Sequence, residues 1–329
     1  MKATSAKLLA LTVTSVAIGL TVVALDAFGG DSQTTSTEPT SAASTSESPT
    51  SEASTTTGSA TTSTTTSSAA TSTSEPTSDS TTATDVDGPA PLLGRYTVEI
   101  VAQYPSDVDA YVQGLELLPD GRVLRSDGRY GESDRNVVDL ESGAVLLSFD
   151  LADDRFGEGA TLVGDEIHQL TWKAGTVEVS SLDTLSPVRS LDYEGEGWGL
   201  CWNGAELAMS DGSATIDFRD PESFDVVRSV TVIDASGAEV SGLNELECVG
   251  EQVLANRYGA DDIVVIDAAT GAVDAVIDAS GVRPPGLPPD GANPFDYVLN
   301  GIAWDASDDT YLLTGKWWPT ISRVRLIDD

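Results

Sequence analysis

From about residue 89 to the C-terminus, apolar and polar positions alternate over short runs, and Gly, Asp, Asn or Pro interrupt the runs every few residues. A period of two at this density predicts antiparallel sheet, not helix. The runs recur in five copies of one plan: a polar or aromatic residue, a small or apolar step, a short apolar strand, a turn and a second apolar strand. The copies open at Gln113, Glu158, Trp198, Asn244 and Asn300, a spacing of roughly 40 to 56 residues. A third strand in each copy ends near an aspartate (Asp139, Asp183, Asp220, Asp267, Asp328), and the first four copies add a fourth strand such as Ala144–Asp150 or Val226–Val232. The last copy stops after three strands, whereas an unused strand, Tyr96–Gln103, precedes the first.

These elements predict an all-β fold, a five-bladed β-propeller of four-stranded blades whose ring is closed when the N-terminal strand supplies the last blade's missing edge. A two-sheet sandwich does not account for five copies of one plan. In a propeller the first strand of every blade lines the axis, so Gln113, Glu158, Trp198, Asn244 and Asn300 should meet there. The ends of the second strands should bring Trp172, Tyr258 and Lys316 to the same mouth. Unpaired polar groups are costly in a core; one acid, one base and three amides among aromatic walls therefore point to a ligand pocket.

Ahead of this domain the pattern changes twice. Lys2 and Lys7 precede an uncharged apolar run of eighteen residues, Leu8–Leu25, expected within residues 1–30 to act as an export signal or signal anchor. Residues 31–88 are almost entirely Ser, Thr, Ala, Gly, Pro and a few acids, expected to be an unfolded stalk before a catalytic domain at 89–329. The domain is thus expected outside the cytoplasm, secreted or tethered, as a monomer. With 53 acidic against 17 basic residues and a net charge of −36, no nucleic-acid partner is expected.

Seven strings in order carry a resemblance: Gln-Gly-Leu at 113, Phe-Gly-Glu-Gly at 156–159, Gln-Leu-Thr-Trp-Lys at 169–173, Gly-Trp-Gly-Leu at 197–200, Leu-Asn-Glu-Leu-Glu at 243–247, Leu-Asn-Gly-Ile at 299–302 and Thr-Gly-Lys-Trp-Trp-Pro at 314–319. Over essentially the whole folded domain the chain resembles the plant and bacterial type of glutaminyl-peptide cyclotransferase. That family is a five-bladed propeller which converts N-terminal glutamine of peptides to pyroglutamate and releases ammonia, without a metal cofactor. The resemblance implies Glu158 as acid/base, Asn244 and Lys316 as its catalytic companions, Gln113 as a polar partner, and Phe156, Trp172 and Trp198 as walls. Tyr111 and Tyr258 stand where the family usually has Phe and Trp, which keeps an aromatic wall but bears on substrate preference. Asn300 completes the expected substrate-binding set.

The chemistry agrees with the residue types. The substrate α-amine must lose a proton before attacking its own γ-carbonyl, and the departing nitrogen must gain one. A single carboxylate can do both. Glu158 lies between glycines, which fits either close approach of a ligand or a bend in an axial strand. Glu196 and Glu245, also near the mouth, are expected to be solvated or to bond loop backbone. His168 is the single histidine, so no zinc shell is expected. Asp261-Asp262 and Asp308-Asp309 lack the ligand spacing of a calcium loop. Cys201 and Cys248 are one residue out of phase on neighbouring strands and are therefore expected to be buried free thiols. Two other functions fit the pattern: a non-catalytic propeller binding a peptide or glycan, and a glycosidase in which Glu196 serves as second carboxylate.

Overall fold

A computed structural model of the chain describes residues 88–329. The expected export segment and stalk lie outside the described residues. Within them, strands occur in successive sets whose members pair antiparallel with their sequence neighbours. The first set is β2 (Val112–Leu117), β3 (Val123–Asp127), β4 (Asp134–Val138) and β5 (Val145–Asp150); the second is β6 (Gly157–Val163), β7 (Glu166–Thr171), β8 (Thr176–Ser181) and β9 (Pro187–Asp192). The third is β10 (Leu200–Trp202), β11 (Leu207–Ser210), β12 (Thr215–Arg219) and β13 (Val226–Thr231). The fourth set, β14 (Leu243–Val249) to β17 (Val273–Asp278) through β15 (Gln252–Arg257) and β16 (Asp262–Asp267), shares an eight-stranded sheet with β18 (Leu299–Asp305), β19 (Thr310–Gly315) and β20 (Thr320–Asp328).

The join in that sheet is β1 (Gly94–Pro105). It pairs antiparallel with β20, from Tyr96 opposite Asp328 to Pro105 opposite Thr320, and so supplies the edge that the last set lacks. Its first residues also run parallel to β17, Gly94 opposite Ala275 through Thr97 opposite Asp278. This second pairing leaves no discernible trace in the sequence pattern.

Alternation decides which face each strand buries, and here both faces of the inner strands are buried because another sheet lies on either side. Five apolar clusters result, one between each set and the next. Leu124, Val137, Ala160 and Ile167 join the first to the second; Leu170, Val179, Leu200 and Leu207 the second to the third; Ile216, Phe218, Leu246 and Val253 the third to the fourth. Leu254, Val265, Ile302 and Leu313 join the fourth to the last, and Leu115, Val123, Ala303 and Leu312 the last to the first. The first strands also touch in cyclic order, β2 to β6 to β10 to β14 to β18 and back to β2. The fourth strands β5, β9 and β13, furthest from this centre, expose every other residue or more.

The inner strands approach so closely that the residue after four of the five repeat-opening positions is glycine. A Cβ on Gly159 would sit 2.5 Å from the backbone nitrogen of Leu200, too close for any side chain. The glycine beside Glu158 thus answers to the neighbouring strand's backbone. In the fourth set the same position is Glu245, whose buried carboxylate accepts hydrogen bonds from the backbone N–H groups of Leu115 (3.2 Å) and Ile302 (2.8 Å).

Cys201 and Cys248 form a disulfide, which corrects the expectation of free thiols. Opposite phase places two residues on opposite faces of a single sheet. These two belong to different sheets, and stacked sheets meet through opposite faces. The phase difference that argued against the bond is what brings the sulfurs together, at a Cα–Cα separation of 5.5 Å.

Candidate active site

Four of the five repeat-opening residues sit where the pairing of first and second strand is interrupted. Register shifts fall at Val112/Gly114, Gly157/Ala160, Leu243/Leu246 and Leu299/Ile302, bracketing Gln113, Glu158, Asn244 and Asn300. An interrupted ladder frees side chains to be re-aimed, as β-bulges do beside active sites. Trp198, just before β10, opens the remaining set. The residues following second strands, Trp172 after β7, Tyr258 after β15 and Lys316 after β19, reach the same end.

Together they enclose a cavity of about 360 Å³. Of the ten residues expected from sequence, nine line it: Tyr111, Gln113, Phe156, Glu158, Trp172, Trp198, Asn244, Tyr258 and Lys316. Asn300 does not. It is fully buried behind the wall, where its Nδ2 donates to the carbonyl of Val112 (2.9 Å) and to Oε1 of Gln113 (3.1 Å). Repeat equivalence located its backbone correctly, but its side chain is spent on holding a neighbour.

Gln113, its amide thus oriented, donates through Nε2 to Oε1 of Glu158 at 3.3 Å. The Glu158 backbone is pinned as well, since its carbonyl accepts from Ser126 Oγ, itself held by Gln169 Nε2 at 2.7 Å. Burial raises the Glu158 pKa well above the ordinary carboxylate range; Lys316 opposes this and the charge of Glu196 adds to it. Lys316 is equally buried. Desolvation brings its pKa down to about 8 against the pull of Glu158 and Asp296. Its Nζ lies 4.7 Å from the ring centre of Tyr111 and 5.5 Å from that of Tyr258. The turn that presents it is unusual: Trp317 adopts φ of 58° and donates its N–H to the carbonyl of Ala110 at 2.8 Å.

The walls are aromatic on all sides. Phe156 meets Trp172 with ring centres 5.5 Å apart and Tyr111 at 6.3 Å, while Trp198 stands edge-on to Tyr258 at 5.7 Å. Glu196, expected near the mouth as a solvated group or a partner of loop backbone, instead accepts hydrogen bonds from the indoles of both Trp172 and Trp198. It lies outside the repeated strands, so periodicity carries no signal for these partners. His168 is buried on β7 away from the cavity, with burial lowering its pKa to about 4. Among the described residues no cluster of three or more His, Cys, Asp or Glu side chains is arranged to hold a metal ion.

Comparison with known proteins agrees with this geometry. The curated glutaminyl-peptide cyclotransferase of Arabidopsis thaliana is 36% identical over 230 residues, covering 70% of this chain and 71% of that protein. The crystal structure of Myxococcus xanthus glutaminyl cyclase superposes with a TM-score of 0.66 at 34% identity, covering 72% of this chain and all of that one. The glutamine cyclotransferase profile matches residues 66–326, and the chain therefore belongs to the glutamine cyclotransferase family.

Proposed function

We propose that this protein is a glutaminyl-peptide cyclotransferase, which closes the N-terminal glutamine of peptides into pyroglutamate and releases ammonia at the mouth of a five-bladed β-propeller. The ring of apolar clusters and the cyclic contact of the first strands support the propeller. The observation that carries the activity is the pairing of a buried carboxyl with a buried ammonium in an aromatic cavity that is, besides, large enough for a glutaminyl residue.

The residues divide the work as follows. Glu158 accepts the proton of the substrate α-ammonium, and the freed amine attacks the side-chain carbonyl carbon. The tetrahedral intermediate then expels nitrogen as ammonia, with Glu158 giving its proton to the leaving nitrogen and taking the surplus proton of the ring nitrogen, which it passes to solvent. A free α-amine titrates near 7.7–8.0, so a carboxyl raised by burial is better matched to exchange its proton than an exposed one. Asn244 and Lys316 stabilise the oxygen charge of the intermediate; such donors typically contribute about 3 kcal/mol each. Gln113 serves Glu158 instead, because its amide is already committed between Asn300 and that carboxylate. The aromatic walls hold the side chain curled toward its own amine.

A glycosidase would need Glu196 as a free second carboxylate, whereas two indoles and Lys173 occupy it. The apolar run Leu8–Leu25 and the Cys201–Cys248 disulfide support a location outside the cytoplasm. Incubation with a glutamine-led dipeptide, followed by mass spectrometry, tests the activity: the product should be lighter by one ammonia. Glu158→Gln should lower the catalytic constant by roughly 10²–10⁴-fold with the melting temperature nearly unchanged. Retention of more than about a tenth of the activity would assign the proton transfer elsewhere.

A further inference from the structure

Two walls of the cavity come from different sets of strands, Trp172 after β7 and Trp198 before β10, yet they share one acceptor. The Trp172 indole N–H donates to Oε2 of Glu196 at 2.7 Å, and the Trp198 indole N–H donates to the same oxygen at 3.2 Å. An indole offers a single donor and no acceptor, so this one oxygen uses the full hydrogen-bonding capacity of both rings. The other oxygen, Oε1, faces Lys173 Nζ at 3.2 Å, and that ammonium lies 3.9 Å from the centre of the Trp172 ring. The carboxylate is itself held by its backbone: the N–H of Gly197 donates to the carbonyl of Trp172 at 3.0 Å, and the hydroxyl of Tyr193 donates to the carbonyl of Thr171.

We propose that Glu196 is a positioning residue for the cyclisation, fixing the angle between the Trp172 and Trp198 indoles and thereby the curl of the substrate side chain held between them. This rests on the cyclotransferase reading above. Bond formation requires the amine and the side-chain carbonyl of one residue to meet in a near-attack ring, and a misplacement of about 1 Å at such a stage costs roughly 10²-fold in rate. Unclamped indoles can each rotate about their side-chain bonds, and the ring conformer is then one of several. The same carboxylate acts on the catalytic acid at longer range. Burial is the main cause of the raised Glu158 pKa, and the Glu196 charge adds to it. Glu196 stays ionised because, against the effect of its own partial burial, hydrogen bonds from Trp198, Trp172 and Lys173 lower its pKa.

The test uses the full chain with Glu196→Ala, Glu196→Gln, Trp172→Phe and Trp198→Phe. Near-ultraviolet circular dichroism without substrate reads the indole arrangement, and kinetics on a glutamine-led dipeptide read catalysis. Glu196→Ala should alter the indole bands that Trp172→Phe and Trp198→Phe identify. It should lower the catalytic constant by roughly 10²-fold and change the Michaelis constant by less than about threefold, at an unchanged melting temperature. Glu196→Gln keeps an acceptor oxygen but removes the charge. It should retain most of the indole signal and move the acidic limb of the pH–rate profile, where Glu158 ionises, to lower pH. Wild-type indole bands together with a wild-type catalytic constant in Glu196→Ala would overturn the proposal. So would a loss of activity that merely follows the folded fraction. The dichroism comparison stands even if the wild-type protein fails to cyclise the dipeptide, in which case the cyclotransferase reading alone falls.

Discussion

Lys316 carries its charge where burial disfavours it, and this has a measurable sign. Its pKa is brought down to about 8 by desolvation, with Glu158 and Asp296 acting in the opposite direction. If the ammonium stabilises oxygen charge in the intermediate, the catalytic constant at saturating peptide should fall as the pH rises through about 8, and any limb at lower pH belongs to Glu158 and not to Lys316. The substrate α-amine titrates in the same range, but its deprotonation frees the nucleophile and works in the opposite sense. The fall therefore belongs to the enzyme. Lys316→Arg keeps a positive charge throughout, so whatever activity it retains should lose the alkaline limb; a limb that persists in Lys316→Arg would remove Lys316 from that role. Most of this site is legible in the sequence because seven of the nine lining residues occupy a repeated position, either opening a first strand or ending a second, whereas Tyr111 and Phe156 come only from the family resemblance. Asn300 marks the limit of that logic. Equivalent backbones do not give equivalent side-chain directions where register shifts intervene, and its amide turns to Val112 and Gln113 instead of the cavity.

Neighbouring sets are fastened at the level of strands by one recurring geometry. The residue three places after a repeat-opening position meets the residue four places after the next one. Glu116 on β2 accepts from the N–H of Leu162 on β6 at 2.8 Å, and Glu247 on β14 accepts from the N–H of Trp304 on β18 at 3.0 Å. Cys201 on β10 and Cys248 on β14 fill the same pair of places with a covalent bond. The offset of one residue was visible in sequence, but its meaning depends on whether the two strands share a sheet or belong to two stacked ones. Alternation alone cannot distinguish those cases. The bond closes a loop with a sequence separation of 47, and on the chain-entropy account such a crosslink contributes on the order of 4 kcal/mol. Neither cysteine lines the cavity. Replacing both by alanine should therefore lower the denaturant midpoint of unfolding while leaving the catalytic constant of the folded enzyme as it was. A midpoint insensitive both to the double replacement and to a reductant would mean that the carboxylate fastenings suffice.

For the whole molecule the question is what must be present for the five sets to close, and the pairing of β1 answers it. This strand covers the edge of β20 along nearly its full length and lays its first residues along β17. Tyr96 and Val98 pack on the cluster between the fourth and last sets, and Tyr104 packs on the cluster between the last and first. Just before it, Leu92 exchanges hydrogen bonds with the Gln252 side chain through its N–H (2.8 Å) and its carbonyl (3.0 Å). The sequence pattern shows an unused strand and a set lacking one, which is enough to infer the β20 pairing. It carries no mark of the parallel pairing with β17, because parallel and antiparallel neighbours impose the same alternation on a strand with both edges paired. Two shortened chains separate what closure needs from what merely precedes it. A chain beginning at Gly88 retains every contact just named and should match the full-length protein in melting temperature and in kcat/KM. A chain beginning at Ser106 loses β1, opens the edges of β20 and β17 and uncovers apolar surface at two clusters, so it should aggregate or unfold without a cooperative transition. A soluble, active chain beginning at Ser106 would show that the ring closes without β1. An inactive chain beginning at Gly88 would mean instead that residues ahead of the folded domain take part in the work.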